Sequence, residues 1–293
     1  MKSQKQFQRR FSFEFFPPKS DKGATQLQNT RDKLAELNPD FFSVTFGAGG
    51  STREGTKNTV IDLNSQGIST APHLSCVGAN KEIISELLDA YKANGVDRIV
   101  ALRGDIPSGM GNTGYGELRY ANELVEFIRK HTGDHFSLEV GAYPEFHPQA
   151  PSAEADLLNF KRKVDAGANS AITQYFFNVE AYFHFIDRLE KMGVDIPVVP
   201  GIMPIINFQK ISHFSEMCGA DIPRWIRKQM EAYGDDSESI KKFGEEVVTR
   251  LCEELLNAGA PGIHFYTLNQ AEASLNIWHN LGLDKEKTEK IAF

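Results

Sequence analysis

The sequence predicts an α/β chain closed into a (β/α)8 TIM barrel, a single domain over residues 1–293 with an extended helical connection after the seventh strand. Eight short apolar runs alternate with longer amphipathic stretches along 293 residues, and strict strand–helix alternation implies a parallel sheet. Eight such repeats in about 250 residues match the size of a closed barrel. The alternative, an open doubly wound sheet, would carry a G-x-G-x-x-G turn after a strand. Gly47-Ala48-Gly49-Gly50-Ser51-Thr52 begins that pattern but has Thr52 where the last glycine should stand.

In chain order, the first strand is Phe11–Phe15, where phenylalanines alternate with Ser12 and Glu14. Pro17 and Pro18 end it, because proline cannot donate to a ladder. A helix over Gln26–Leu37 leads to a strand at Phe41–Thr45. Ser51 and Glu54 form a capping-box pair for a helix over Ser51–Gln66, followed by a strand at Ser69–Leu74. Asn80 is placed to cap a helix over Asn80–Asn94 that stops at Gly95. The strands Arg98–Leu102, Ser137–Ala142 and Ser170–Gln174 follow, each leading to a helix: Ala121–His131, Ser152–Gly167 with its closing glycine, and Asn178–Met192 before Gly193. After a strand at Pro197–Ile202 comes the long connection, Phe208–Ala258. It has room for two or three helices around the acidic turn Gly234-Asp235-Asp236-Ser237. Gly262–Tyr266 is the last strand.

Composition narrows the function classes. A net charge of −7 does not suggest a nucleic-acid or anionic-membrane surface. No apolar run reaches the length that spans a bilayer, and the polar, basic Met1–Arg10 segment lacks the apolar core of a signal peptide. Cys76, Cys218 and Cys252 are odd in number and contain no C-x-x-C pair. That excludes a fully paired disulfide framework and fits a reducing cytoplasm. The expected partner is a small molecule.

A barrel of this kind builds its active site at the C-terminal ends of its strands. Those ends carry Glu14, Thr45, His73, Arg103-Gly104-Asp105, Tyr143 with Glu145 and His147, Gln174, and Tyr266. Glu14 stands among aromatic residues, where desolvation is expected to raise its pKa and keep a proton for general acid catalysis; the plainer alternative is a solvated strand-end carboxylate. Asp105 either pairs with Arg103 at the surface or stabilises a cation formed in a reaction. His73, His147 and Asp105 could form a metal cluster, but no H-x-H pair and no bridging Lys or Glu accompanies them, so no metal is expected. The helix opened by Ser152 places Asp156, Asn159 and Lys163 on one face with Arg162 adjacent, opposite a core stripe of Leu157, Phe160 and Val164. Two cations beside a barrel mouth suit a pyrophosphate, although such a face is also commonly just solvated. Tyr175-Phe176-Phe177 and Phe208 either stack on a planar heterocycle or cap the core.

Taken together, these residues resemble the methylenetetrahydrofolate reductase family in its bacterial form. The stretches that carry the resemblance run in order over nearly the whole chain: Phe13-Glu14-Phe15-Phe16-Pro17-Pro18, Ser43-Val44-Thr45-Phe46-Gly47, Ala71-Pro72-His73-Leu74, Ala101-Leu102-Arg103-Gly104-Asp105, Ala142-Tyr143-Pro144-Glu145-Phe146-His147-Pro148, Lys161 to Ala168, Ile172-Thr173-Gln174-Tyr175-Phe176-Phe177, Pro200-Gly201-Ile202-Met203-Pro204, and His264-Phe265-Tyr266-Thr267-Leu268-Asn269. The resemblance implies an FAD enzyme in which NADH or NADPH reduces the flavin, leaves, and is followed by 5,10-methylenetetrahydrofolate, giving 5-methyltetrahydrofolate for methionine synthesis. It implies Glu14 as the general acid that opens the folate ring and Asp105 as the carboxylate that favours the cationic iminium. Gln174, Phe208 and Gln270 would contact substrate. Thr45, His73, Arg103, Gly104, Asp105, Tyr120, Ala121, Tyr143, His147, Asp156, Asn159, Arg162 and Lys163 would hold FAD.

Gln270 departs from the pattern, in which an arginine is expected, and the glycine-rich loop Ile106–Leu118 departs from it in length. By analogy the protein is a homo-oligomer. The sequence runs to Phe293, so the S-adenosylmethionine-binding regulatory domain of eukaryotic members, and inhibition through it, is not expected. Two rival readings are a metal-dependent barrel hydrolase and a flavin- or folate-binding barrel without chemistry.

Overall fold

The computed structural model describes residues 1–46, 52–104 and 116–284, and the structural statements below concern those residues. Strands and helices alternate: β1 (Arg10–Phe15), α1 (Asp21–Ala35), β2 (Phe41–Val44), α2 (Arg53–Ser65), β3 (Thr70–Ser75), α3 (Lys81–Ala93), β4 (Arg98–Leu102), α4 (Ala121–Thr132), β5 (Ser137–Ala142), α5 (Ala153–Asp165), β6 (Ser170–Thr173), α6 (Val179–Lys191), β7 (Val198–Val199), β8 (Gly201–Ile202), α7 (Phe208–Cys218), α8 (Arg224–Tyr233), α9 (Ser237–Ala258), β9 (Gly262–Tyr266) and α10 (Glu272–Asn280). The strands lie in the order β7-β6-β5-β4-β3-β2-β1-β9-β8, and every pair is parallel.

The two ends of that order are one piece of chain. Only Pro200 separates β7, which pairs with β6, from β8, which pairs with β9. The expected strand Pro197–Ile202 is therefore split, because proline has no N–H to give a ladder. Its carbonyl still accepts from His264 N at 2.9 Å, so the sheet closes into a barrel. Gly201 then lets the wall close tightly. A Cβ there would lie 2.1 Å from the Thr173 carbonyl and 2.7 Å from the Tyr266 ring.

Two-residue alternation sorts the strand side chains into two layers. Phe13, Phe15, Phe42, Val44, Ile263 and Phe265 join the large core between sheet and helices, while Phe41, Ala71, Val100 and Ile172 form a separate cluster inside the barrel with Leu102 and Tyr266. The lumen also holds charge. Arg98 pairs with Glu139, which accepts from the Ser170 hydroxyl, and the Arg98 guanidinium lies 4.7 Å from the Phe41 ring centroid. Such buried charges persist only when paired and hydrogen-bonded.

Local signals place most helix ends. Asn80 accepts from Ile83 N at 2.9 Å to open α3, and Asp236 of the acidic turn accepts from Ser239 N to open α9. The long connection holds three helices, α7 to α9. Two expectations shift. The residue whose hydroxyl caps α2 is Thr52, accepting from Gly55 N at 3.0 Å, whereas Ser51 lies outside the described residues. Helix α1 starts five residues earlier than expected, where Ser20 accepts from Gly23 N. The N-terminal residues also do more than their polarity suggests. Gln4 is buried, and its side chain accepts from Val198 N at 2.8 Å and donates to the Ile196 carbonyl. It thereby completes the N-terminal end of β7.

Candidate active site

Strand register decides which side chains share the barrel mouth. Glu14 pairs with Ser43 on β2 and Tyr266 on β9, and Ser12 pairs with Phe41 and His264. Ser12, Glu14, Ser43, His264 and Tyr266 therefore face inward together. His73 on β3 joins them: its Nε2 lies 3.2 Å from Glu14 Oε2. The same oxygen is 3.5 Å from His264 Nε2 and 3.5 Å from Ser43 Oγ. His264 is fully buried, and its other nitrogen, Nδ1, is 2.7 Å from Ser12 Oγ.

These contacts overturn the expected proton affinity of Glu14. Desolvation pushes its pKa up, as the sequence suggests. The charge of His73 and the hydrogen bonding of the two imidazoles outweigh it and bring the pKa down to about 2. The rings read from the sequence are not its surroundings, since Phe13 and Phe15 point outward into the helical layer. Without substrate the residue is an ionised carboxylate held by two histidines.

The expected flavin positions fall into groups. At the ends of β2 and β3, Thr45 Oγ1 and His73 Nε2 are buried polar atoms without a well-aligned hydrogen-bond partner among the described residues. Buried polar atoms are normally satisfied, so Thr45 Oγ1 is suited to an external polar group, whereas His73 Nε2 already faces Glu14 Oε2 at 3.2 Å. At the ends of β4 and β5, Arg103 donates to Gln149, the Tyr143 and His147 rings meet edge-on at 4.6 Å, and His147 N donates to Asp156 at 3.0 Å. Gly104 has φ 84°, and a Cβ there would lie 1.9 Å from Ser75 Oγ, so only glycine fits.

The α5 residues divide. Asn159 and Arg162 form an exposed pair. Lys163 instead folds inward and donates to the Gly141 carbonyl at 2.5 Å. Burial lowers its pKa to about 8, opposed by Asp156. Tyr120, 56 % exposed, precedes α4, which begins at Ala121. Asp105 and most of the loop after it lie outside the described residues.

Of the expected substrate contacts, Gln174 accepts from Tyr175 N and its own N–H donates to Ala142 O, which fixes it at the end of β6. Phe208 is the half-buried first residue of α7. Gln270 borders a cleft of about 540 Å³ with Gln26, Asn29, Lys22 and Lys33. Tyr175, Phe176 and Phe177 are all buried, which makes them core caps and not an open stacking platform. The residue sequence reasoning passed over is His264. Its signal was available: Gly262, His264 and Tyr266 alternate along β9 as Ser12 and Glu14 do along β1.

Although Glu14, His73 and His264 meet, no group of three or more His, Cys, Asp or Glu side chains among the described residues is arranged to hold a metal ion. Comparison with known proteins gives a consistent result. The family described as Methylenetetrahydrofolate reductase matches residues 1–282. The chain is 43% identical over 273 residues, 93% of its length and 90% of the relative's, to 5,10-methylenetetrahydrofolate reductase of Escherichia coli (strain K12). It is 35% identical over 288 residues, 94% of its length and 49% of the relative's, to methylenetetrahydrofolate reductase (NADH) 1 of Zea mays. Among solved structures, an uncharacterised Clostridium thermocellum protein that binds two copies of 5-methyl-5,6,7,8-tetrahydrofolic acid shares the fold. Its TM-score is 0.69 at 17% identity, with 97% of this chain and 98% of that one covered.

Proposed function

The chain belongs to the methylenetetrahydrofolate reductase family and is an oxidoreductase acting on 5,10-methylenetetrahydrofolate; from that premise we propose that it is FAD-dependent, draws on NADH or NADPH, and works by alternating the two partners at one barrel mouth. The name of the maize relative favours NADH. The same proposal takes residues 1–293 as a single catalytic barrel, assembled as a homo-oligomer in the cytoplasm. No helix among the described residues is long and apolar enough to cross a membrane.

The observation that carries the reading is the environment of Glu14. Three side chains approach its Oε2, while no hydrogen bond among the described residues falls on Oε1. One oxygen is anchored and the other is open to a ligand. Substrate seated over Oε1 excludes water and favours the neutral carboxyl, so the proton is gained in the complex and passed to the folate nitrogen, opening the ring to an iminium. Asp105, by resemblance, would stabilise that cation.

The unsatisfied Thr45 Oγ1, the adjoining His73 ring, the glycine at 104 and the cations Arg103, Arg162 and Lys163 fit a flavin dinucleotide with its pyrophosphate. Bound there, FAD would supply hydride transfer. Tyr120, Ala121, Tyr143, His147, Asp156 and Asn159 complete the proposed cradle, and Gln174, Phe208 and Gln270 the folate contacts.

The test is anaerobic rapid mixing of the purified protein, with NADH added first and methylenetetrahydrofolate second. Bleaching of the flavin band followed by its recovery is the expected result. A protein that bleaches without recovering on folate overturns the substrate arrangement, and bound flavin with no bleaching supports a binding barrel without chemistry.

A further inference from the structure

We infer that His264, supported by Ser12, is a positioning residue that fixes which oxygen of Glu14 carries the catalytic proton. The inference rests on the reading of Glu14 as the acid and adds residues to it.

A carboxyl group can hold a proton on either oxygen, and only a proton on Oε1 faces the open side. The surroundings of Glu14 are unequal in just this respect. His264 Nε2, His73 Nε2 and Ser43 Oγ all approach Oε2. While Glu14 is ionised it can only accept, so His264 must present N–H at Nε2. With the proton on Nε2, the ring can leave Nδ1 bare, 2.7 Å from Ser12 Oγ, and the serine hydroxyl can donate to it. This tautomer also suits the acid form. With the proton on Oε1, Oε2 is a carbonyl and keeps the His264 donor. A proton on Oε2 would instead face that donor and force the ring to the other tautomer.

The ring cannot turn aside. It is fully buried, lies against Phe41 at 6.2 Å and meets Tyr266 edge-on at 5.2 Å. The remaining groups that face it leave the assignment to Ser12. The Tyr266 hydroxyl donates away to Thr173 O at 2.7 Å. Arg98, against the same Phe41 ring, is paired with Glu139. His73, on β3, touches Glu14 but lacks a well-aligned hydrogen bond to it, so His264 is the better anchored of the two.

The test compares His264→Phe, His264→Gln and Ser12→Ala holoenzymes in both half-reactions across pH. Loss of the donor raises the proton affinity of the carboxyl. For His264→Phe the folate half-reaction should fall about tenfold or more, with its pH profile moved alkaline by about one unit. His264→Gln, which keeps an N–H donor, should recover much of both effects. Ser12→Ala, the milder change, should shift the profile in the same direction. Carboxyl NMR of Glu14 without substrate should show the same upward movement of its titration in His264→Phe. Equal losses in both half-reactions with an unmoved profile and an unmoved Glu14 titration would overturn the inference and leave His264 a packing residue. Glu14→Gln separates the two claims: if that variant reduces folate normally, it is the acid reading that fails.

Discussion

Asn269 holds Phe16 by both of its backbone groups. The Phe16 N–H donates to Asn269 Oδ1 at 3.0 Å, and Asn269 Nδ2 donates to the Phe16 carbonyl at 2.9 Å. Its own carbonyl accepts from Gln26 and Thr30 of α1. Two residues beyond Glu14, the end of β1 is thus tied to the loop that carries Gln270. Asn269 is buried with φ 55°, a conformation asparagine tolerates better than most residues. Asn269→Ala leaves two partly buried backbone groups unpaired and keeps the positive φ. Denaturant unfolding should show a loss of about 2–4 kcal/mol; a loss within error would mean that water replaces the amide.

Glu14→Gln keeps the shape of the side chain and removes its acid. Flavin reduction by NADH should persist while folate reduction falls by about 100-fold or more. Loss of both half-reactions would place Glu14 in the cofactor site instead. Asp105→Asn should slow the folate half-reaction more than flavin reduction, and an unchanged folate rate would remove Asp105 from the mechanism.

The low pKa of Glu14 is also a statement about stability. A carboxyl depressed from 4.5 to about 2 contributes fully above the unfolded value, and the contribution disappears as pH falls through the folded one. At about 1.4 kcal/mol per pKa unit, the net shift, in which the histidines outweigh desolvation, corresponds to about 3 kcal/mol. Stability of the wild type should therefore drop between pH 4.5 and pH 2 more steeply than that of Glu14→Gln. Parallel curves from urea titrations over that range would show that the pairing is not formed in solution.

The barrel was legible because its strands announce themselves by alternation and its helices by their caps. Ser137–Ala142 and Gly262–Tyr266 have the bounds expected from the sequence. The start of α1 was hidden, since Asp21-Lys22-Gly23 shows no apolar period. The candidate site was legible as a set of strand-end polar residues but not in its electrostatics. Phe13 and Phe15 adjoin Glu14 in sequence and face away from it in space, and the imidazole of His264 that helps set its charge lies 250 positions along the chain. Side-chain alternation tells which face a residue takes; which partner waits across the lumen depends on barrel closure.

If Lys163 holds a cofactor phosphate as proposed, cofactor binding acquires a pH dependence of its own. Its amine is buried against the Gly141 carbonyl and has a pKa lowered to about 8, so it is largely charged at neutral pH and neutral above 8. A phosphate bound beside it favours the charged form and raises the pKa in the complex. Between the free and complexed values, each unit of pH then weakens anion binding by up to about tenfold, because the proton must be regained on binding. Flavin affinity, followed by fluorescence quenching, should hold below pH 8 and decline above it. Lys163→Met should bind more weakly at neutral pH and lose the decline. A wild-type affinity that stays flat through pH 9 would mean that Lys163 supports the end of β5 and that the exposed Arg162 carries the phosphate contact instead.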